Sequence, residues 1–165
     1  MDANVTITSS TGRHVLNSDV RFPGRWSGFA DGYQQVYVLD VESGSDTIRN
    51  VRVDGPPPVV FTAPAQDSTI DPASALEVQW EPRAADQAWL FIDPQGTSFG
   101  EIDDDGSFTI PPNTWGTSPD GSHAVGLSRM NTVTPAGAVE GSRMSVLTDG
   151  YLHVCDRPST GLCMD

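Results

Sequence analysis

The chain has 165 residues, and its 22 aspartates and glutamates, set against nine arginines and no lysine, give a formal net charge of −13. This charge argues against binding to nucleic acids or anionic membranes, because both require a basic protein surface, and it predicts an acidic, soluble one. No apolar run reaches the length of about 18 residues that would predict a membrane span, and 16 glycines and 13 prolines predict many short elements.

The first 55 residues contain three runs with strand-like alternation, NVTITS, YQQVYVLDV and TIRNVRV. The segment GRWSGFADGYQQVY leads into the second run and overlaps its start, and in it glycines and polar residues surround Trp26, Phe29 and Tyr33. Such a loop either presents flat rings to a sugar or a partner, or folds Trp26 and Phe29 into the core where a strand bends. We favour the core for those two rings. The opening MDANVTITSS is typical of a mature segment behind an initiator methionine, which suggests a removed export leader.

The segment DGPPPVV, residues 54–60, is the clearest break in composition. Its three prolines fix an extended backbone that cannot pair inside a sheet, so we place a boundary here. The prediction is an N-terminal β region of residues 1–55, which packs on or extends a second domain of residues 56–165.

The second domain is predicted to be all-β, with any helix limited to a turn or two at DPASA. In ALEVQWEP, the apolar Leu76, Val78 and Trp80 alternate with polar residues, as in a strand buried on one face. AWLFI is apolar on both faces and predicts a central strand, with Trp89 in the core. Further strands are expected at PVVFTA, SFTI, HAVGLSR, RMSVLT and YLHVCD.

The run EIDDDGSFTIPPNTW, residues 101–115, raises the question of a calcium loop. With Gly106 at the sixth position of an EF-hand-type loop, Asp103 and Asp105 fall on ligand positions. Pro112, however, stands where such a loop requires a bidentate glutamate. The alternative is a tight hairpin, in which glycine takes a positive φ and the aspartates bond to their own backbone. We favour the hairpin and predict no cofactor; calcium binding by Asp103 and Asp105 stays open.

No motif nominates a catalytic site. The string GTSFG, residues 96–100, matches the G-x-S-x-G of a nucleophile elbow with Ser98 in the middle. Asp120 and either His123 or His153 follow in the order of a hydrolase triad, but an elbow needs a helix directly after the serine, and GEIDDDGSF follows here. A carboxylate pair for glycoside hydrolysis has no sequence signature. We therefore predict that the protein is not an enzyme.

Two features lie towards the C-terminus. Trp115, in PPNTWGTSPDG, is a further ring that a loop could offer to a ligand. Cys155 and Cys163, in CDRPSTGLCMD, predict one disulfide and with it an oxidising compartment. A zinc site that includes His153 is the rival interpretation, but the closely spaced ligand pair of zinc sites is missing.

The run VVFTAPAQDSTIDPASALEVQWEPRAADQAWLFI and the later DDDGSFTIP resemble fibronectin type III and related immunoglobulin-like modules of secreted bacterial surface proteins and lipoproteins, over roughly residues 56–154. The resemblance lies in a proline-rich lead-in, a B strand that ends in Trp80, and a C strand that carries Trp89 and Phe91. The inter-sheet cysteine pair of immunoglobulin domains is missing. The resemblance implies a β-sandwich without catalytic residues.

We therefore expect an exported, non-enzymatic β-sandwich module with a structural or adhesive role at the cell surface. Its partners would be other proteins or further copies of itself, recruited through exposed strand edges. The alternative is a carbohydrate-binding module that stacks Trp26, Tyr33 and Trp115 on a polysaccharide, with or without calcium.

Overall fold

The chain folds as an all-β protein, as predicted. The structure is a computed structural model that describes residues 3–30, 32–93, 96–116 and 118–156. Within those ranges no helix occurs, and hence none that is long and apolar enough to cross a membrane. DPASA forms a turn in which the Asp71 carboxylate accepts hydrogen bonds from the backbone of Ala73 and the hydroxyl of Ser74.

The chain divides into two compact units. Unit 1 contains residues 1–56 and 130–147, and unit 2 contains residues 57–129 and 148–165. The first division falls between Pro56 and Pro57, inside the proline run. Nothing in the sequence indicated that residues 130–147 belong with the N-terminal part.

Unit 1 is built mainly from six strands near the N-terminus. They are β1 (Asn4–Ser9), β2 (Gly12–Val15), β3 (Asn17–Ser18), β4 (Trp26–Ser27), β5 (Val36–Ser43) and β6 (Asp46–Asp54). Four of them form an antiparallel sheet in the order β2-β1-β5-β6, and β3 pairs with β4 in a separate two-stranded ladder. A two-residue turn joins β5 to β6, and Gly44 in this turn has a φ of 61°, a conformation that glycine adopts without steric cost.

The core of unit 1 draws on both of its chain segments. Alternate residues of β1, β5 and β6 meet two residues from the 130–147 segment: Val5, Tyr37, Leu39, Val51, Val53, Met144 and Val146. A region of about 55 residues buries a smaller fraction of its surface than a larger domain does and is only marginally stable by itself. The returning segment therefore completes a core that the N-terminal residues only begin.

Unit 2 is built from eight strands in two sheets. They are β7 (Phe61–Ala63), β8 (Ser68–Thr69), β9 (Leu76–Trp80), β10 (Gln87–Asp93), β11 (Thr97–Ile102), β12 (Ser107–Ile110), β13 (Ser122–Val133) and β14 (Met144–Cys155). One sheet has the order β11-β10-β13-β14-β8 and the other β12-β9-β7. AWLFI, in β10, is an interior strand as predicted, and RMSVLT and YLHVCD merge into the single strand β14. The last four residues of β13 and the first four of β14 belong to unit 1.

The core of unit 2 lies between the inner faces of its two sheets. It includes Val78, Trp80, Leu90, Ile92, Ile110, Val125, Leu127, Leu152 and Val154. Trp80 is buried as predicted. Trp89 is not a core residue: it alternates with Ala88 and Leu90 on β10 and takes the opposite, partly exposed face. Because AWLFI is apolar at every position, its pattern could not show which residues face inward.

The predicted hairpin at DDDG is wrong. Ile102 ends β11 in one sheet, and Ser107 begins β12 in the other, so the run crosses between the two sheets of unit 2. Gly106 does take a positive φ, of 102°. The Asp105 carboxylate accepts a hydrogen bond from the backbone N–H of Ser107, which is local turn chemistry of the expected kind.

Asp104, the middle aspartate of the run, forms an ion pair with the buried Arg129. Arg129 is fully buried at the inner face of β13, and its Nε and Nη2 each lie 2.9 Å from a different oxygen of the Asp104 carboxylate. Other guanidinium N–H groups donate to the carbonyls of Pro58, at 2.9 Å, and Glu81, at 2.6 Å. The indole Nε1 of Trp80 donates to the same carboxylate at 2.8 Å. Asp104 is thus a structural residue that compensates a charge inside the sandwich.

Candidate functional site

The outer face of the five-stranded sheet, within unit 2, combines aromatic rings with carboxylates. Strand alternation that turns Leu90 and Leu152 inward turns their neighbours outward. We call the resulting set the acidic-aromatic face; its members are Trp89, Phe91, Asp93, Glu101, Asp149 and Tyr151.

Two of the rings pack against each other across a glycine. The rings of Phe91, on β10, and Tyr151, on β14, meet edge to face with centroids 5.8 Å apart. Strand β13 lies between them, and a Cβ on its Gly126 would fall closer than 3.0 Å to the Phe91 ring. The missing side chain therefore lets the Phe91 ring lie over the sheet. Tyr151 keeps 48% of its surface exposed.

Carboxylates surround this ring pair. Partial burial and the negative charges of Asp149 and Asp93 raise the pKa of Tyr151 above its usual value of 10.0. Asp149 accepts a hydrogen bond from the Ser128 hydroxyl at 2.5 Å. Glu101 lies opposite Trp89 on β11 and accepts a hydrogen bond from Gln87 at 3.1 Å. The outward positions of β10, β11, β13 and β14 within unit 2 include no arginine.

The face continues into an open hollow of about 410 Å³. Asp93, Asp120, Ala124 and His153 are among the residues that line it. Hydrogen bonds from the Ser118 hydroxyl and the Ser122 backbone N–H lower the pKa of Asp120 below its usual value of 3.8, so this carboxylate is charged at neutral pH. The volume is within the range of small-ligand pockets, about 300–1,000 Å³.

Rings flanked by carboxylates favour organic cations as ligands. A guanidinium group stacks on an aromatic ring and pairs with carboxylates at the same time, because its charge is spread over a flat surface. The acidic-aromatic face offers both kinds of contact on a regular sheet, where backbone hydrogen bonds hold the strands in place. It is therefore suited to an arginine-bearing segment.

Of the predicted ligand-binding rings, two lie in unit 1. Trp26 is on β4 and packs partly against the core of that unit, as we favoured. Phe29, by contrast, is fully exposed, so its predicted core position is wrong. The Tyr33 hydroxyl donates to the Gly55 carbonyl at 3.3 Å, and its ring lines a second hollow, of about 670 Å³, with Ser10 and Gln34.

The third predicted ring is placed differently from our expectation. Trp115 is only 9% exposed, belongs to the core of unit 2, and meets the His123 ring edge to face at 5.4 Å. The structure therefore corrects its assignment as a ring offered to a ligand.

Cys155, which the sequence predicts to form a disulfide, is buried at the end of β14. Its predicted disulfide partner, Cys163, lies outside the described residues.

The residues considered for catalysis and metal binding occupy ordinary positions. Ser98 lies on β11, and its hydroxyl oxygen accepts a hydrogen bond from the backbone N–H of Gly100 at 3.2 Å. His123 is buried, with Nε2 3.3 Å from the Asp156 carboxylate. Asp103 is exposed, and among residues that the structure describes no three carboxylate, histidine or cysteine side chains stand together as a metal site.

Sequence reasoning missed the acidic-aromatic face because its residues come from three strands, β10, β11 and β14. The one local signal was the doubly apolar AWLFI, whose two rings, Trp89 and Phe91, lie on the same face of β10. No protein-family model matches this chain, and a search of curated proteins finds no significant match.

Proposed function

We propose that this protein is an exported, non-enzymatic, immunoglobulin-like β-sandwich module with an adhesive role in a bacterial cell-surface protein or assembly. It binds cationic polypeptide segments on the acidic-aromatic face. The observation that carries the proposal is the ring pair of Phe91 and Tyr151, which packs over Gly126 and lies beside carboxylates. The outward positions of the surrounding strands within unit 2 include no arginine that would neutralise these carboxylates.

Support for the module type comes from unit 2. Its two sheets enclose one core between them, and its strand number and size are close to those of immunoglobulin-like sandwiches, which have seven or more strands in about 100 residues. Support for export comes from the two cysteines of the C-terminal segment, which suit an oxidising compartment.

Support for binding comes from surface chemistry. A cation over an exposed aromatic ring contributes about 0.5–1 kcal/mol, and an exposed ion pair up to about 1 kcal/mol. One arginine on Tyr151 that also pairs with Asp149 or Asp93 therefore gives weak binding. A segment with two cations and an aromatic ring binds more tightly, because several such contacts form at once.

The test is a titration with the blocked peptide Arg-Phe-Arg, followed by NMR signals of Trp89 and Tyr151. We expect saturable shifts that weaken as salt is added. The Asp93→Asn/Asp149→Asn variant should bind about tenfold less tightly, since two exposed ion pairs are lost. The matched control Asp46→Asn/Glu140→Asn, which removes two acids from elsewhere, should bind like the wild type. Equal binding of Gln-Phe-Gln, or no effect of the face variant, would refute the proposal.

A second candidate, polysaccharide binding, is favoured by the hollow of unit 1. Tyr33 lines this hollow together with polar side chains, and Ser10 donates a hydrogen bond to Gln34 there. A ring beside polar groups is the usual chemistry of a sugar subsite. If this site binds polysaccharide, Tyr33→Ala abolishes retention on an insoluble polysaccharide, and Tyr151→Ala does not.

A further inference from the structure

Unit 1 carries a hairpin whose tip has the opposite chemistry to the acidic-aromatic face. Strands β3 and β4 pair in register, and residues 19–25 form the loop between them. We call Val20, Arg21, Phe22 and Arg25 the basic tip. The guanidinium carbons of Arg21 and Arg25 lie 5.9 and 5.8 Å from the centroid of the Phe22 ring, so the ring is flanked by two cations.

Backbone hydrogen bonds hold the loop in this shape. Asp19 donates its N–H to Arg25 at 2.8 Å, and Arg25 donates its own to Phe22 at 3.0 Å. Phe22 donates to Asp19 at 3.3 Å, and the Asp19 carboxylate accepts from the Arg21 backbone. A loop ordered before binding loses less conformational entropy when it docks.

The basic tip exposes apolar surface. Val20 is 93% exposed and Phe22 is 55% exposed. Of the nine large hydrophobic side chains that are exposed in the described residues, five lie between residues 15 and 33: Val15, Val20, Phe22, Phe29 and Tyr33. Exposed apolar groups concentrated in this way mark interaction surfaces more often than isolated ones do.

Residues 3–30, the segment that contains the basic tip, carry a net positive charge, whereas the whole chain is negative. Residues 3–30 contain three arginines and one aspartate, whereas the complete chain has 22 acids and nine arginines. The basic tip is therefore complementary to an acidic partner surface that also exposes apolar groups. The acidic-aromatic face, on every copy of the chain, has that character.

We propose that the basic tip of one copy docks on the acidic-aromatic face of a second copy, so that copies associate head to tail. This inference rests on the function proposed above, since it names the cationic segment. Phe22 contacts the ring pair of Phe91 and Tyr151, and the two tip arginines pair with carboxylates such as Asp93 and Asp149. In such a pair the first copy keeps its face free and the second keeps its tip free, so further copies can add at both ends, which is the property of a heterologous contact.

The net charge sets the expected salt dependence. Two copies, each with a formal net charge of −13, repel each other over long distances. In physiological salt this repulsion is largely screened beyond the Debye length of about 8 Å. The close tip-face contact is screened less. Association should therefore increase from very low salt to physiological salt and decrease again in high salt, whereas an interface without charge complementarity would strengthen steadily.

The experiment is sedimentation equilibrium on the full chain and on two variants. The tip variant is Arg21→Ser/Arg25→Ser, and the face variant is Asp93→Asn/Asp149→Asn. We expect the average mass of the wild type to rise with concentration past that of a dimer, and each variant alone to remain monomeric. The control Arg49→Ser/Arg83→Ser, which removes two exposed arginines elsewhere, should associate like the wild type.

Mixing the two variants gives the sharper result. The tip variant keeps its face and the face variant keeps its tip, so a mixture should form one-to-one dimers and nothing larger. A mixture that stays monomeric although both variants give wild-type melting curves would overturn the head-to-tail contact. So would unchanged association of either variant.

The outcomes also separate this inference from the proposed function. If the wild type stays monomeric up to millimolar concentration but the Arg-Phe-Arg peptide binds the face, the second copy is the wrong partner and the proposed function stands. If neither the peptide nor a second copy binds, both proposals fail.

Discussion

Removal of the Asp104 carboxylate is expected to destabilise unit 2 strongly. Arg129 is fully buried and makes two hydrogen bonds of 2.9 Å to this carboxylate, and the Trp80 indole makes one of 2.8 Å. Loss of one partner of a buried ion pair costs about 3–5 kcal/mol, because the other charge stays in a low dielectric. The carbonyls of Pro58 and Glu81 still accept from the guanidinium and offset part of this cost. We therefore expect a loss of about 3 kcal/mol for Asp104→Ala.

The assay is urea unfolding followed by tryptophan fluorescence in a Trp26→Phe background. The chain has four tryptophans, and the three that remain after this change, Trp80, Trp89 and Trp115, all lie in unit 2. The signal therefore reports on unit 2. With a slope of about 1–3 kcal/mol per molar urea, the midpoint should fall by about 1–3 M.

The neighbouring Asp103→Ala is the matched control, since the Asp103 side chain is exposed and the same charge is lost. It should change the free energy of unfolding by no more than about 0.5 kcal/mol. If the two variants unfold at the same urea concentration, Asp104 does not compensate Arg129 and the reasoning is wrong. A double change, Asp104→Leu/Arg129→Met, should destabilise less than Asp104→Ala, because it leaves no unpaired buried charge.

Three further predictions concern the sheet face and its hollow. Gly126→Ala should cost about 1–3 kcal/mol in urea unfolding, because the new methyl group collides with the Phe91 ring, and adding Phe91→Ala should relieve the collision; equal costs in both backgrounds would contradict this. The raised pKa of Tyr151 means that its neutral form stabilises the fold fully below pH 10.0 and that this contribution is lost as pH rises through the folded-state pKa. Tyr151→Phe should therefore lose less stability in alkaline urea titrations than the wild type, and an unchanged alkaline profile would refute the cause. The lowered pKa of Asp120 has the opposite sign: its stabilisation is present above pH 3.8 and is lost as pH falls through the lower folded-state pKa. Ser118→Ala should move the NMR titration midpoint of Asp120 upward, and an unmoved midpoint would show that the hydroxyl is not the cause.

Local patterns in the sequence were enough to predict the type of most elements. The alternation in ALEVQWEP follows from the two-residue period of a strand, so Trp80 could be placed in the core before any fold was known. The apolar AWLFI had to be an interior strand, since both of its faces are covered at least in part. The proline run marked a break in the chain because proline cannot pair within a sheet.

Pairing between distant segments was decided only by the tertiary structure. The partner of Asp104 is Arg129, 25 residues later, and no local rule connects a turn aspartate with an arginine on another strand. The residues of the aspartate run by themselves predict a hairpin. In the structure the run connects two sheets, because the strand before it, β11, pairs with β10 and the strand after it, β12, pairs with β9.

The acidic-aromatic face shows the same division. The rings of Trp89 and Phe91 were visible in the sequence, but only the sheet places them beside Tyr151, which lies 60 residues after Phe91 in the chain. Strand period determines that alternate residues share a face, and it leaves undetermined which face is covered when both are apolar. Which face is covered is determined by the strand order, and the strand order depends on the packing of the whole unit.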